Sequence, residues 1–282
     1  MLENVDSEFS VDIKHYAENI LHETTENRQK GLEELMKWAT ANSNLHIRTD
    51  EKYIIPFLRG CKFDVEKTKE KLTHFYTMRR DVPEWFTNRN PHLSEIQDLT
   101  KMGTFIVLKE TFENKLVMIV RPTMPDPSTY DLDTIIKTGT MILDVAVMEE
   151  ELAQIYGVYA IIDLKNTGFR HVRQYTPTRI KNIVNAWQNY HCRPKKLLFI
   201  NAPTFIHVVL NIFKSFMTQK LKERIQVSYE GNSALVNSID TSILPQDYGG
   251  NRETMSELGL HWIEKLNSYK EWFFEDEKYK AD

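Results

Sequence analysis

The sequence predicts an α/β protein, an all-helical N-terminal unit followed by a mixed, mainly parallel sheet flanked by helices. Three observations carry this. The first ~90 residues place apolar side chains at helical spacing, without alternating runs. After residue 100, short β-rich runs alternate with helical stretches, the order that builds parallel strands. Residues 201–224 hold a helix whose apolar residues leave only a narrow polar stripe of His207, Asn211, Ser215 and Thr218. A surface helix shows a narrower apolar arc than that, so this one must cover apolar material on two sides.

In the N-terminal unit, Ile13, Tyr16, Ala17, Ile20 and Leu21, then Leu32, Leu35, Met36 and Trp38, predict helix over residues 11–43. Asp50 opens the next element, with Tyr53, Ile54, Phe57 and Leu58 on one side and Pro56 expected in a first turn. Gly60 and Lys62 mark a break. Asp64 caps a further helix that Pro83 ends or kinks, and Asn88–Pro91 reads as a loop.

Residues 104–108 and 116–120 read as two strands joined by a short turn at Glu113 and Asn114. A Pro-, Asp- and Ser-rich loop over 122–130 precedes a long helix to Glu151. Residues 158–164 are nearly all apolar, the pattern of a strand buried on both faces. Thr176-Pro177 opens a helix through Tyr190, and Leu197–Ile200 is a further strand. Pro203 and Thr204 supply the start of the apolar helix. Residues 225–229 read as a last strand. The tail, with Trp262, Trp272, Phe273 and Phe274, is expected to pack.

Composition narrows the function. The chain has 282 residues, 41% of them hydrophobic, and a formal charge of −4. No apolar run approaches the roughly 20 residues a membrane span needs. The acidic, polar Met1–Asp6 gives no sign of a signal or transit peptide. Cys61 and Cys192 are the only cysteines, expected as reduced thiols. Residues 193–224 hold seven Lys or Arg and one acid, a local net charge of +6 in an acidic chain. Such a patch attracts polyanions. Nucleic acid is disfavoured, because the overall balance is not basic and aromatic interleaving is missing.

Catalytic motifs are missing too. There is no Gly-x-Gly-x-x-Gly, P-loop or nucleophile elbow, and no His/Cys set at zinc spacing. Asp163, near a strand end, reads as a turn or hydrogen-bonding residue, and Cys192 as a buried structural thiol. The expectation is therefore no catalysis, no metal and no cofactor.

Several words of the sequence, in order, resemble the CRAL-TRIO lipid-binding family. They are Tyr53–Asp64, Ile161–Leu164, Phe199–Pro203, Lys220–Ile225 and Leu244–Gly250, spanning about residues 30–250. The resemblance implies an N-terminal helical domain over 1–92, a lipid-binding domain over 93–250 and a packed tail over 251–282. It implies an apolar pocket closed by a mobile gate helix. The floor would be Val158, Ala160 and Ile162. Ile183, Ala186 and Trp187 would form a wall, and Phe205, Val209, Ile212, Phe213 and Phe216 the lid. By position, Arg193, Lys195, Lys220 and Arg224 match the family's phosphoinositide-binding set. Cys61 stands at a further, usually basic position, where neighbouring Lys62 is a substitute. Asp144 either faces the pocket, favouring a hydroxyl or amine on the ligand, or faces solvent.

The expected function is an intracellular carrier of a hydrophobic, tocopherol- or retinoid-like small molecule, exchanged at phosphoinositide-bearing membranes. It would be cytoplasmic, with reversible peripheral membrane association. The rival from another class is a lipid-regulated adaptor without net transfer.

Overall fold

A computed structural model describes residues 11–282 of the chain. The reading of Met1–Asp6 lies outside the described residues. Helix α1 (Val11–Tyr16) runs into one π turn (Ala17–Leu21) that ends at His22, whose backbone is left-handed at φ 63°. Thr24 then caps α2 (Thr25–Ala41) by accepting the Asn27 amide. The pattern over 11–43 is thus broken at His22, which periodicity alone does not register.

Helix α3 (Glu51–Gly60) carries Pro56 in its interior, a correction to the first-turn expectation. The proline removes only the hydrogen bond to Lys52, which lies in the exposed first turn where water can replace it. Lys62 and Phe63 turn the chain in left-handed conformations, and Asp64 caps α4 (Val65–Asp81) by accepting the Lys67 amide at 3.1 Å. Pro83 starts α5 (Pro83–Phe86), and α6 (Ser94–Lys101) completes the helical part.

Strands β1 (Phe105–Phe112) and β2 (Lys115–Val120) form an antiparallel hairpin whose turn residues Glu113 and Asn114 are left-handed. Asp131 caps α7 (Leu132–Glu149), and α8 (Glu151–Tyr156) leads into β3 (Val158–Asp163). Then follow α9 (Phe169–Val172), α10 (Pro177–Asn189, capped by Thr176) and β4 (Pro194–Ile200). Next come α11 (Ile206–Phe216), α12 (Gln219–Lys222), β5 (Ile225–Val227) and α13 (Asn232–Val236). Helices α14 (Met255–Ser268) and α15 (Lys270–Asp276) form the tail. The sheet order is β1-β2-β3-β4-β5, with β2 to β5 parallel.

Helix α11 starts at Ile206, later than Pro203 and Thr204 suggested. Strand β4 ends at Ile200, and Asn201 takes a left-handed backbone (φ 51°) to redirect the chain. Pro203 and Thr204 are spent on that connection, whose Pro203 carbonyl accepts the Ile206 amide at 2.9 Å.

The tail packs across both halves. Trp262 donates to the Val107 carbonyl of β1 at 3.0 Å. Phe273 is fully buried, and the Asp276 carboxylate meets Arg79 of α4 at 2.8 Å and Arg89 at 3.0 Å. Arg89 also bonds Asp144 of α7, which accepts from Tyr190 at 2.5 Å and pairs with His191 at 2.8 Å. This buried polar network joins the helical part, the sheet domain and the tail.

Candidate functional site

One face of the sheet lines a cavity of ≈ 210 Å³, the space open to the centre of a water-sized sphere. Parallel register builds its floor. Met118, Ala160 and Leu197 lie in one row across β2, β3 and β4, and Val120, Ile162 and Phe199 in the next. Because side chains alternate along a strand, the register that buries one row buries both. Gly139 of α7 lets the Phe105 ring approach, since a Cβ there would stand 2.4 Å from Cε1. Both residues line the cavity.

Eight of the residues expected around a pocket line this cavity: Val158, Ala160, Ile162, Ile183, Ala186, Trp187, Val209 and Phe213. Three do not. Phe205 precedes α11 and stacks on Phe169 of α9, with centroids 5.5 Å apart. Phe216 is 38% exposed, and Ile212 is half-buried outside the lining. The inner stripe of α11 is instead Ile206, Val209, Leu210 and Phe213. Phe213 stacks on Trp187 at 5.5 Å and packs against Tyr175 at 6.2 Å. The outer surface keeps Val208 and Phe216 exposed, and Phe169, stacked on Phe205, is exposed as well. Phe169, Tyr175 and Leu210 were not singled out from sequence. Leu210 belongs to a stripe the periodicity could have offered, while Phe169 and Tyr175 are brought in by tertiary folding.

The wall holds no charged side chain. Asp144 is absent from it, a correction to the pocket-or-solvent alternative. It is buried in the network with Arg89, Tyr190 and His191. Burial raises its carboxyl, but the Arg89 guanidinium and the hydrogen bonds from His191 and Tyr190 outweigh burial and hold it well below the usual range. Asp163 accepts from the Lys165 amide (2.9 Å), Asn201 (2.7 Å) and the Tyr248 hydroxyl (2.8 Å), so it anchors the connection into α11. Both cysteines are free thiols, and burial pushes the cavity-lining Cys192 up to about 12. No group of side chains suited to a metal occurs among the described residues.

A cationic cluster abuts the Cys192–Pro194 end of the cavity. Lys195, Lys220 and Arg224 have no carboxylate partner among the described residues. Arg224 donates to the Pro194 carbonyl at 2.6 Å. Arg193 is buried and donates to the Gln154 carbonyl at 3.3 Å and to that of Ile155, with its Nε unpartnered. Burial, then Arg193, Arg224, Lys115 and Lys220, push the Lys195 amine down to about 8. Burial, then Arg224, Lys62 and Arg193, also lower Lys220.

Sequence reasoning missed Lys71. Its Nζ lies 3.3 Å from where a Gly60 Cβ would stand. Burial lowers its amine, and the neighbours it senses are Cys61, Cys192, Arg193 and Arg224. It thus brings a cation beside Cys61. The signal was available, since Lys71 shares a helix face with the buried Thr68 and Phe75.

Two family models match this chain. Residues 100–250 match the model of the CRAL/TRIO domain, and residues 24–96 match a Pinta-like UBA domain. The human alpha-tocopherol transfer protein-like protein is 27% identical over 209 residues, covering 73% of this chain. Human clavesin-2 is 26% identical over 216 residues, covering 72% of this chain and 63% of its own length. The chain spans about 60% of the length of the first of these relatives. The crystal structure of Sfh5 superposes with a TM-score of 0.49 at 12% identity, over 86% of this chain and 97% of that one. The match over residues 100–250 covers more than half of the sequence, and the chain belongs to the CRAL/TRIO family.

Proposed function

We propose that this protein carries a hydrophobic lipid or isoprenoid, of tocopherol- or retinoid-like character, and exchanges it at phosphoinositide-containing membranes. The observation that carries the reading is the uncharged cavity roofed by α11, whose outer surface exposes Val208 and Phe216 and whose flank is a cationic cluster without carboxylate partners among the described residues. Each buried methylene gains about 0.8 kcal/mol, so a ligand of roughly twenty carbons gains on the order of 10 kcal/mol and leaves slowly into water. Release then needs a membrane that receives both ligand and lid. Exposed Phe169, Val208 and Phe216 suit insertion at the interface, and unpaired lysines suit phosphate oxygens. The tocopherol-transfer-like relatives support the same ligand class.

Lys195, Lys220, Arg224 and Lys71 are the headgroup contacts in this reading. Arg193, already held on two carbonyls, shapes the site from below. The direct test extracts the purified protein with organic solvent and identifies what is released by mass spectrometry. A stoichiometric lipid that the protein also moves between liposomes is the expected result. No transfer for any lipid class would sink the reading.

A further inference from the structure

The cavity wall says what kind of ligand fits, beyond its being apolar. Its hydroxyl groups are those of Thr123, Thr140, Thr167, Tyr175 and Tyr190. Four of them already donate. Thr123 donates to the Lys165 carbonyl at 3.3 Å, Thr140 to Lys137 at 2.8 Å and Thr167 to Leu164 at 2.7 Å. Tyr190 donates to Asp144 at 2.5 Å. The Tyr175 hydroxyl has no partner among the described residues. Burial is the sole cause raising its phenol, with no hydrogen bond contributing. The Trp187 indole N–H on the same wall also lacks an acceptor among the described residues. Both rings pack against Phe213, at 6.2 and 5.5 Å, so the two unpaired donors share one sector of the cavity.

A buried donor without an acceptor costs free energy, and an empty wall leaves that cost standing. We infer that the cavity takes a neutral lipid with a single oxygen acceptor at one end, a hydroxyl or carbonyl, which Tyr175 binds. This rests on the carrier reading and narrows it. A pure hydrocarbon would leave Tyr175 unpaired. An ionised carboxylate or phosphate would enter a wall without any cation, at a cost of several kcal/mol. The cationic cluster therefore serves a membrane headgroup and not the cargo.

The probes are geranylgeraniol, its hydrocarbon lacking the hydroxyl, and geranylgeranoic acid, offered together at neutral pH. Retained amounts are read by mass spectrometry on the full chain and on Tyr175→Phe. The wild-type protein is expected to favour the alcohol over both others. In Tyr175→Phe the alcohol-to-hydrocarbon ratio falls roughly two- to tenfold, the size of one net hydrogen bond. The melting temperature does not fall, because the phenol makes no bond within the protein. An unchanged ratio in Tyr175→Phe, or acid retained as well as alcohol, would overturn the inference and leave the carrier reading standing. A wild-type protein that retains none of the three and releases no lipid on extraction would overturn both.

Discussion

At the scale of single residues, Asp144 shows how much one carboxylate can hold. It neutralises Arg89, which is fully buried, and orients Tyr190 and His191. Replacing it with Ala leaves a buried guanidinium with less counter-charge, so Asp144→Ala is expected to cost about 3–5 kcal/mol in urea unfolding. Its folded pKa lies below the unfolded value, near ~3.9, so its contribution is complete above that pH and is lost as pH falls through the folded value. Lys195 behaves oppositely. Its amine is pushed down to about 8 by burial and by neighbouring cations, so the protonated form opposes folding at neutral pH and the strain eases as pH rises through that value. A bound phosphate reverses the preference and favours the protonated amine. Binding to phosphoinositide vesicles is therefore expected to weaken between pH 7 and 9, roughly tenfold per charge lost, and Lys195→Arg should flatten the slope. Equal slopes for both proteins in a vesicle sedimentation assay would refute that role for Lys195.

At the scale of elements, the proposed carrier function gives α11 two working faces. Phe213→Ala removes the ring that meets Trp187 and Tyr175 and should speed ligand loss in a stopped-flow displacement assay. The triple change Phe169→Ser, Val208→Ser, Phe216→Ser alters only exposed side chains. It should leave ligand capture intact and reduce vesicle association at least tenfold, since each buried apolar side chain is worth ~1.5–3 kcal/mol. The faces of this helix were only partly legible in the sequence. Apolar residues on nearly every side showed that two surfaces are covered, but periodicity could not choose between the stripe 205-209-212-216 and the true stripe 206-209-210-213. Tertiary packing settles the matter, since Phe213 meets Trp187 and Tyr175, contacts that have no signature in the hydropathy pattern. Elements whose signals are local were read more fully. Asp64 and Thr176 cap helices where expected, and β3 is the strand buried on both faces. The position of Lys71 on the buried face of α4 was legible, but its role was not, because its neighbours Cys61, Cys192 and Arg224 come from elsewhere in the chain.

At the scale of the whole molecule, the tail is structural. Aromatic content predicted its packing, but not that α15 supplies the carboxylate for two buried arginines of the N-terminal part, a pairing no local pattern encodes. Asp276→Asn is expected to lower stability by about 3 kcal/mol or more, measured as a loss of denaturation midpoint. That arrangement also has a consequence for synthesis. Arg79 and Asp276 are 197 residues apart, so while the ribosome is still making the sheet domain, α4 displays a cation whose partner does not yet exist. The nascent helical part cannot bury Arg79 and Arg89 at native cost until the tail emerges. Its final packing therefore waits for α15, and a chain stalled before α15 should be exposed to proteases in its helical part.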